Sequence, residues 1–342
     1  MSEKALEPRD FGVALVGLGY WGKNLARVFN QLGVLCAVVD ASAERRARFS
    51  EQYPEAASYA SVDEVLGDPA VSAIAVATPP RTHAIIARRA LRAGRDVYVE
   101  KPLCYELAEA ETLRELSDRL GHRLMVGHLL RYHPAFVALE AIVTRGELGE
   151  VRYLETRRTN LGRVTTERSV LWNFAPHDLS LILSLAGNRT PDTVRCEGVG
   201  VVSGSACDAA TLTLRFSEPK IVAQAYVGWL NPIKEARLSV AGTVGAAVFD
   251  DTRPWPEKLQ RFDGHHPEED PRVAIDNRTA PAWVAVPQGE PLLAEAEHFV
   301  TCCRHQRTPR TGADEGVRVM ATLDAAQRSL GSGGAEVRLQ AG

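Results

Sequence analysis

The first forty residues restrict the fold more than any other part of the chain. An apolar run from Phe11 to Val16 stops at Gly17-Leu-Gly19-Tyr20-Trp21-Gly22, and a helical stretch from Lys23 to Asn30 follows at once. A second apolar run, Val34 to Val39, then ends on Asp40. Strand, glycine turn, helix, strand and acid stand in the order that a dinucleotide site requires. Gly17 permits the tight turn, Gly19 lets the backbone approach a pyrophosphate, and Gly22 lets helix and strand pack closely. The helix N-terminus offers N–H groups and partial positive charge to the phosphates. Asp40 is spaced to hold both ribose hydroxyls and to repel a 2′-phosphate, which favours NAD over NADP. Arg45 and Arg46 follow closely and are the residues that would hold such a phosphate instead.

The alternation continues. Ser61-Val-Asp-Glu64 has the form of a capping box. Ser72 to Ala77 reads as a buried parallel strand ending at Thr78-Pro79-Pro80, and a helix from Arg81 to Arg92 carries Ile85, Ile86, Ala90 and Leu91 on one side. Asp96 to Val99 is a strand ending at Glu100-Lys101-Pro102. A helix from about Tyr105 to Leu120 stops at Gly121, and Arg123 to Val126 is the last strand of the set. This pattern predicts a doubly wound parallel sheet over residues 1–128, with ligands at the carboxyl ends of its strands.

Near Gly146 the character changes. Strand-like segments follow one another: Val151–Thr159, Thr193–Val202, Ala209–Phe216, Ile221–Trp229, Ala236–Ala241 and Ala246–Phe249. One helical stretch, about Pro176 to Leu185, interrupts them. Residues 129–342 therefore read as an α+β domain with a large, mostly antiparallel open sheet, its closing helices (Leu292–Arg304, Asp314–Ser329) free to pack back on the first domain. Alternating Ala223, Ala225 and Val227 imply a sheet face that needs cover, which predicts a homodimer or homotetramer. The stretch from Asp250 to Pro281 shows no clear periodicity and reads as a lid, arm or mobile segment.

Composition narrows the classes. The 342 residues, 45% of them hydrophobic, suffice for two domains with substantial cores. A net charge of −3 with mixed signs gives no nucleic-acid tail or membrane patch, and no apolar run approaches the ~18 residues of a membrane span. Without a leader-like N-terminus the expected location is the cytoplasm. The six cysteines show no CxxC spacing and read as buried thiols in a reducing compartment. His265-His266 reads as part of a solvated loop, and no metal is expected.

With only six lysines in the chain, Lys101 stands out at the end of a parallel strand. Beside a cationic nicotinamide in a partly desolvated cleft its pKa should fall, so that it exchanges protons with a substrate hydroxyl. The alternative is a solvated lysine paired with Glu100. In the second domain, Asn173 and His177 are four residues apart and share a face if the helix begins early enough. His177 is the natural acid or base near neutrality; Asp178 reads as a first-turn acid favoured by the helix dipole.

These residues resemble the glucose–fructose oxidoreductase/inositol dehydrogenase (Gfo/Idh/MocA) family over nearly the whole chain. The resemblance rests on Gly17-Leu-Gly-Tyr-Trp-Gly22, Ala77-Thr-Pro-Pro-Arg-Thr-His83, Glu100-Lys-Pro102, Gly146-Glu-Leu-Gly149, Ala241-Gly-Thr-Val-Gly245 and the block from Pro291 to Val300. It implies an N-terminal Rossmann domain, oligomer contacts through the C-terminal sheet, and cofactor contacts from Gly17, Gly19, Tyr20, Trp21, Gly22, Asp40, Thr78, Pro79, His83, Glu100 and Lys101. The family's catalytic lysine falls on Lys101, and its aspartate–three residues–histidine pattern falls on Asn173 and His177. An amide accepts no proton, so Asn173 is left to orient substrate or His177; the family's intervening glycine is Ala175.

The blocks Gly127–His133 and Leu171–His177 resemble a branch that oxidises or reduces C3 of nucleotide-linked sugars ahead of transamination, with relatives acting on aminoglycoside sugars. By that resemblance Arg131, Tyr132, Trp172, Asn173 and Arg163 are substrate contacts. Arg157 and Arg168 join Arg131 and Arg163 as candidates for a diphosphate or uronate. The expected activity is NAD-dependent oxidation of a secondary ring hydroxyl of a sugar. The alternatives are a cyclitol dehydrogenase, an NADPH-dependent keto-sugar reductase and a dinucleotide-sensing regulator.

Overall fold

The computed structural model describes residues 11–161, 169–202, 207–264 and 281–339. The chain divides into two compact units, one of residues 1–128 and 292–317, the other of residues 129–291 and 318–342.

In the first unit, strands β1 (Val13–Val16), β2 (Leu35–Val39), β3 (Ala57–Tyr59), β4 (Ala73–Val76), β5 (Asp96–Glu100) and β6 (Leu124–Gly127) form one sheet in the order β3-β2-β1-β4-β5-β6. Every pairing is parallel. β1, β2, β4, β5 and β6 are buried along their whole length, as continuous apolar strands covered on both faces must be. Helices α1 (Gly22–Gln31), α2 (Ala43–Gln52), α3 (Val62–Leu66), α4 (His83–Arg92) and α5 (Leu107–Leu120) make the crossovers. The strand order reverses between β1 and β4, which puts the ligand crevice at their carboxyl ends.

Local chemistry sets the ends of these elements. Ser61 Oγ accepts from the Glu64 amide and opens α3, while the Glu64 carboxylate reaches back to the amide of Ala60. Gly121, with φ 72°, closes α5 in the left-handed conformation. Ile86, Ala90 and Leu91 are buried as expected, whereas Ile85 is half exposed, one residue off the apolar stripe. The free edge of β6 is closed from far along the chain. The Val126 amide donates to the Thr311 carbonyl (2.8 Å), and Thr311 Oγ1 donates to the Val126 carbonyl (2.7 Å).

The second unit is built on a nine-stranded sheet. Its strands are β7 (Val151–Thr159), β8 (Thr193–Val199), β9 (Ala209–Phe216), β10 (Ile221–Gly228), β11 (Glu235–Gly242), β12 (Gly245–Asp250), β13 (Leu259–Asp263), β14 (Ala282–Trp283) and β15 (Val337–Arg338). The order is β14-β13-β12-β11-β7-β10-β9-β8-β15, and all neighbours are antiparallel except β7 and β10. Helices α6 (Pro134–Thr144) and α7 (Val170–Leu185) belong to this unit, α8 (Pro291–Arg304) lies almost wholly in the first, and α9 (Ala313–Gly331) contributes to both.

Three expectations change here. Ala223, Ala225 and Val227 are buried in this unit's own core with Leu179, Ile182 and Leu183 of α7, so they present no uncovered apolar face. The outward-facing residues of β10 are Val222, Gln224 and Tyr226, and they are more polar. The stretch after Asp250 is not featureless, because β13 pairs with β12 in it; residues 265–280, His265 and His266 among them, lie outside the described residues. Helix α7 begins at Val170, not near Pro176. Proline is favoured in a first turn and suggests a start, but here Pro176 sits inside the helix and forgoes the bond that its N–H would have donated to the Trp172 carbonyl.

The family motifs at Gly146–Gly149 and Ala241–Gly245 hold one another. The Thr243 amide donates to the Glu150 carbonyl (3.0 Å), the Val244 amide to the Leu148 carbonyl (3.1 Å), and the Glu150 amide to Thr243 Oγ1 (3.1 Å). A Cβ on Gly242 would stand 2.0 Å from the Leu148 carbonyl oxygen, so glycine is required by packing alone. All six cysteines are free and buried. Among the described residues no helix is long and apolar enough to cross a membrane.

Candidate active site

Each glycine of the turn after β1 meets a different environment. A Cβ on Gly17, whose φ is +100°, would stand 2.7 Å from the Ala77 carbonyl group. One on Gly22 would stand 2.1 Å from the Gly17 carbonyl oxygen, whereas one on Gly19 would have nothing within 4 Å. Gly17 and Gly22 are thus fixed by protein packing, and Gly19 borders open space at the N-terminus of α1. That is the cradle a pyrophosphate needs. Trp21 stands at the N-cap of α1 without a side-chain cap, and Tyr20 is 86% exposed at the tip of the turn.

Asp40 is part of the same construction. Its Oδ2 accepts from the Leu18 amide (2.9 Å) and its Oδ1 from the Ser42 amide (2.8 Å). One carboxylate therefore braces the glycine turn and still sits at the end of β2, where a ribose is held. Arg45 reaches Asp40 Oδ2 at 3.5 Å, and Arg46 donates to the Asp40 carbonyl at 2.7 Å. Arg45 is drawn to the carboxylate, and Arg46 to the backbone beside it.

After β4, Thr78 is half buried and Pro79 exposed. His83 is only 1% exposed, and its ring nitrogens lie 2.8 Å from the Thr78 carbonyl oxygen and 2.9 Å from that of Pro102. His83 therefore ties the turn after β4 to the turn after β5, a positioning role. Lys101 follows β5 directly, is half buried and precedes a cis peptide to Pro102.

Glu100 is buried and accepts from Trp21 Nε1 and from the Tyr98 hydroxyl. Burial lifts its carboxyl to about 7 against the opposing pull of Lys101 and Trp21. Tyr98 also lies 3.0 Å from Glu295 of α8, which burial and the nearby Glu100 push well above the carboxylate range. His128, one residue past β6, is buried against Glu315, its Nδ1 2.7 and 2.9 Å from the two carboxylate oxygens. The sequence reading missed Tyr98, Glu295, His128 and Glu315. One signal was available: Glu295 lies on the stripe of Leu292, Ala296, Phe299 and Cys303, an acid on the apolar face of its helix.

In the second unit, the early start of α7 puts Asn173 and His177 on one face, both half exposed. Asp178 is the ninth residue of this helix, not a first-turn acid. It is buried in a two-pronged pair with Arg158 of β7, Nε and Nη2 each 2.9 Å from a carboxylate oxygen. Burial nevertheless raises its pKa, with Arg158 opposing. Trp172 donates from Nε1 to Gln327 (2.9 Å).

Arg131 and Tyr132, expected at the substrate, are both buried. Arg131 donates to Glu140 at 3.0 Å and lies over the Phe136 ring, so its charge is committed inside its own unit. Arg157 is paired with Glu235 at 3.2 Å. Arg163 and Arg168 lie outside the described residues.

Residues 11–128 match the oxidoreductase family with an NAD-binding Rossmann fold, and residues 136–248 match the GFO/IDH/MocA C-terminal domain. The chain belongs to the Gfo/Idh/MocA family. It is an oxidoreductase, and its first unit is an NAD-binding domain.

UDP-N-acetylglucosamine 3-dehydrogenase of Acidithiobacillus ferrooxidans is 32% identical over 198 residues, 58% of this chain and 60% of that enzyme. The crystal structure of the Acidithiobacillus ferrooxidans enzyme superposes with a TM-score of 0.82 at 25% identity, covering 94% of this chain and 98% of the other. Inositol 2-dehydrogenase of Corynebacterium glutamicum (strain ATCC 13032) is 28% identical over 187 residues, 53% of this chain and 56% of the entire enzyme. GenD2 from gentamicin A biosynthesis, solved with NAD, has a TM-score of 0.81 at 24% identity and covers 97% of each chain, a likeness of fold alone. Both curated relatives are named as dehydrogenases, as members of an oxidoreductase family are expected to be.

Proposed function

We propose that this chain oxidises a secondary ring hydroxyl, at C3, of a nucleotide-linked or aminoglycoside-type sugar, yielding a ketone for transamination. The observation that carries this reading is the likeness to UDP-N-acetylglucosamine 3-dehydrogenase in both sequence and fold; Lys101 and His177 stand where the family resemblance puts its catalytic lysine and histidine. Bound NAD supplies the hydride acceptor. The Gly17–Gly22 turn and the α1 N-terminus would hold its pyrophosphate, and Asp40 would select its ribose.

Lys101 and His177 serve the hydroxyl proton, which must leave as hydride departs. Asn173 has no site for a proton; on the face it shares with His177 it orients substrate or the imidazole. Trp172, tied to Gln327, contributes a fixed aromatic edge. Arg131 is left out of the substrate contacts because it is buried, with one guanidinium nitrogen on Glu140. A cyclitol dehydrogenase is the second reading, supported by the inositol 2-dehydrogenase relative.

A panel of UDP-sugars, aminoglycosides and inositols, assayed for NADH formation, tests the assignment. Turnover of inositols at rates exceeding every sugar overturns it.

A further inference from the structure

Two buried carboxyl groups in the first unit share a single hydroxyl. Tyr98 Oη is 3.0 Å from Glu100 Oε1 and 3.0 Å from Glu295 Oε2. A phenol carries one proton and can donate only once. Both contacts are hydrogen bonds only if one carboxyl is itself protonated and donates to the tyrosine oxygen.

The surroundings decide which. Glu100 Oε1 accepts from Trp21 as well, and the backbone and the charge of Lys101 favour its anion. Glu295 is 0% exposed, and its Oε1 has no hydrogen-bond partner among the described residues. Its nearest acidic neighbours are Glu100 and Glu315, the latter already bound to His128. An anion there would be cut off from water, with one of its two oxygens unsatisfied, and repelled by both acidic neighbours.

The frame around Tyr98 is rigid. Its ring meets Phe29 and Phe299 edge-on, with centroids 6.3 and 5.8 Å away. A Cβ on Gly127 would stand 2.6 Å from Tyr98 Oη and 3.2 Å from Glu100 Cδ, so the β6 backbone closes the remaining side.

We infer that Glu295 is a permanently protonated carboxyl that donates to Tyr98, which donates onward to Glu100, forming a one-way chain that fixes the residue preceding Lys101. Glu295 and Tyr98 are positioning residues, and Glu100 is the member of the pair that changes charge. The consequence for turnover rests on the reading of Lys101 above; the proton assignment does not.

Infrared spectroscopy and tryptophan fluorescence on the NAD-free protein test it. At neutral pH the protein should show the C=O stretch of a buried protonated carboxyl that persists into alkaline solution. E295Q should remove this band, and Y98F should shift its frequency by removing the acceptor. Trp21 fluorescence should report the titration of Glu100 near pH 7, with W21F as the control that loses the signal.

E295Q replaces one neutral donor by another and should leave that midpoint unchanged, whereas Y98F should raise it by about one pH unit. A band unaffected by E295Q overturns the inference, as does an E295Q midpoint lowered by about one unit or more, the sign of a lost negative charge. If E295Q does not fold, Y98F decides: an unmoved band and an unmoved midpoint are refutation. Normal turnover of Lys101→Ala would sink the catalytic reading and leave these results standing.

Discussion

The Arg158–Asp178 pair makes a sharp claim about stability, because its two halves are buried so differently from ordinary surface charges. The side chains are 16% and 2% exposed, and the pairing is two-pronged at 2.9 Å. Removing one partner of such a pair costs about 3–5 kcal/mol, because the other charge is left desolvated. Asp178→Leu should cost about 3 kcal/mol, the low end, since the guanidinium is near enough to the surface to recover some water. Arg158→Met should cost a similar amount, limited by the ability of Asp178 to take up a proton.

The double variant should fall within about 1 kcal/mol of the parent, because apolar replacement of a whole buried pair is often neutral. The coupling is then about 5 kcal/mol. Urea unfolding followed by tryptophan fluorescence suits the measurement: Trp172, Trp229, Trp255 and Trp283 lie in the second unit and only Trp21 in the first. The raised pKa of Asp178 fixes the sign of the pH effect. The folded chain keeps this proton at pH values where the unfolded chain has released it, so the stability contributed by this group falls as pH rises above the ordinary aspartate range. A double variant that loses the sum of the two single losses refutes the reasoning.

Four further outcomes are expected. NAD should bind more tightly than NADP, and Asp40→Ala should narrow the gap while weakening both, since the Leu18 amide loses its acceptor; titration of the parent showing NADP tighter would overturn the ribose assignment. Gly19→Ala should fold normally but weaken NAD by about tenfold, whereas Gly22→Ala should lower the melting temperature; equal melting losses in both would contradict the packing difference. Glu100, lifted from 4.5 to about 7, should make the first unit less stable as pH rises through that window, by roughly 3 kcal/mol in all, and Glu100→Gln should flatten the slope in pH-dependent unfolding. Lys101→Ala and His177→Ala should each cut turnover by about 10²–10⁴-fold with NAD affinity nearly kept, and the double variant should lose less than the product of the two; near-normal turnover in Lys101→Ala would mean that the acid–base centre lies elsewhere.

The sequence disclosed the elements whose chemistry is local. The glycine turn, Asp40, the Ser61 capping box and the Gly121 stop each rest on neighbours within a few residues or on one strand–helix unit. It misplaced the start of α7 because Pro176 obeys a first-turn preference that tertiary packing overrode. It could not show that Arg131 is buried against Glu140, because nothing local announces that partner. The links of Tyr98 to Glu295 and of His128 to Glu315 join positions 197 and 187 residues apart. No periodicity in either segment could show that they meet.

The closure of β6 by Thr311 bears on how the chain is made. Ribosomes deliver residues in order, and domains generally fold as they emerge. Here the first 128 residues emerge with one sheet edge bare and Tyr98 without Glu295, while the segment that completes them, residues 292–317, comes after the whole intervening β-rich stretch. Until then the nascent sheet presents the unpaired Val126 amide and carbonyl, the kind of edge on which other strands can add. Chains truncated before Thr311 should therefore be collected by chaperones or aggregate, even though every strand and the whole glycine turn of the nucleotide domain are already synthesised.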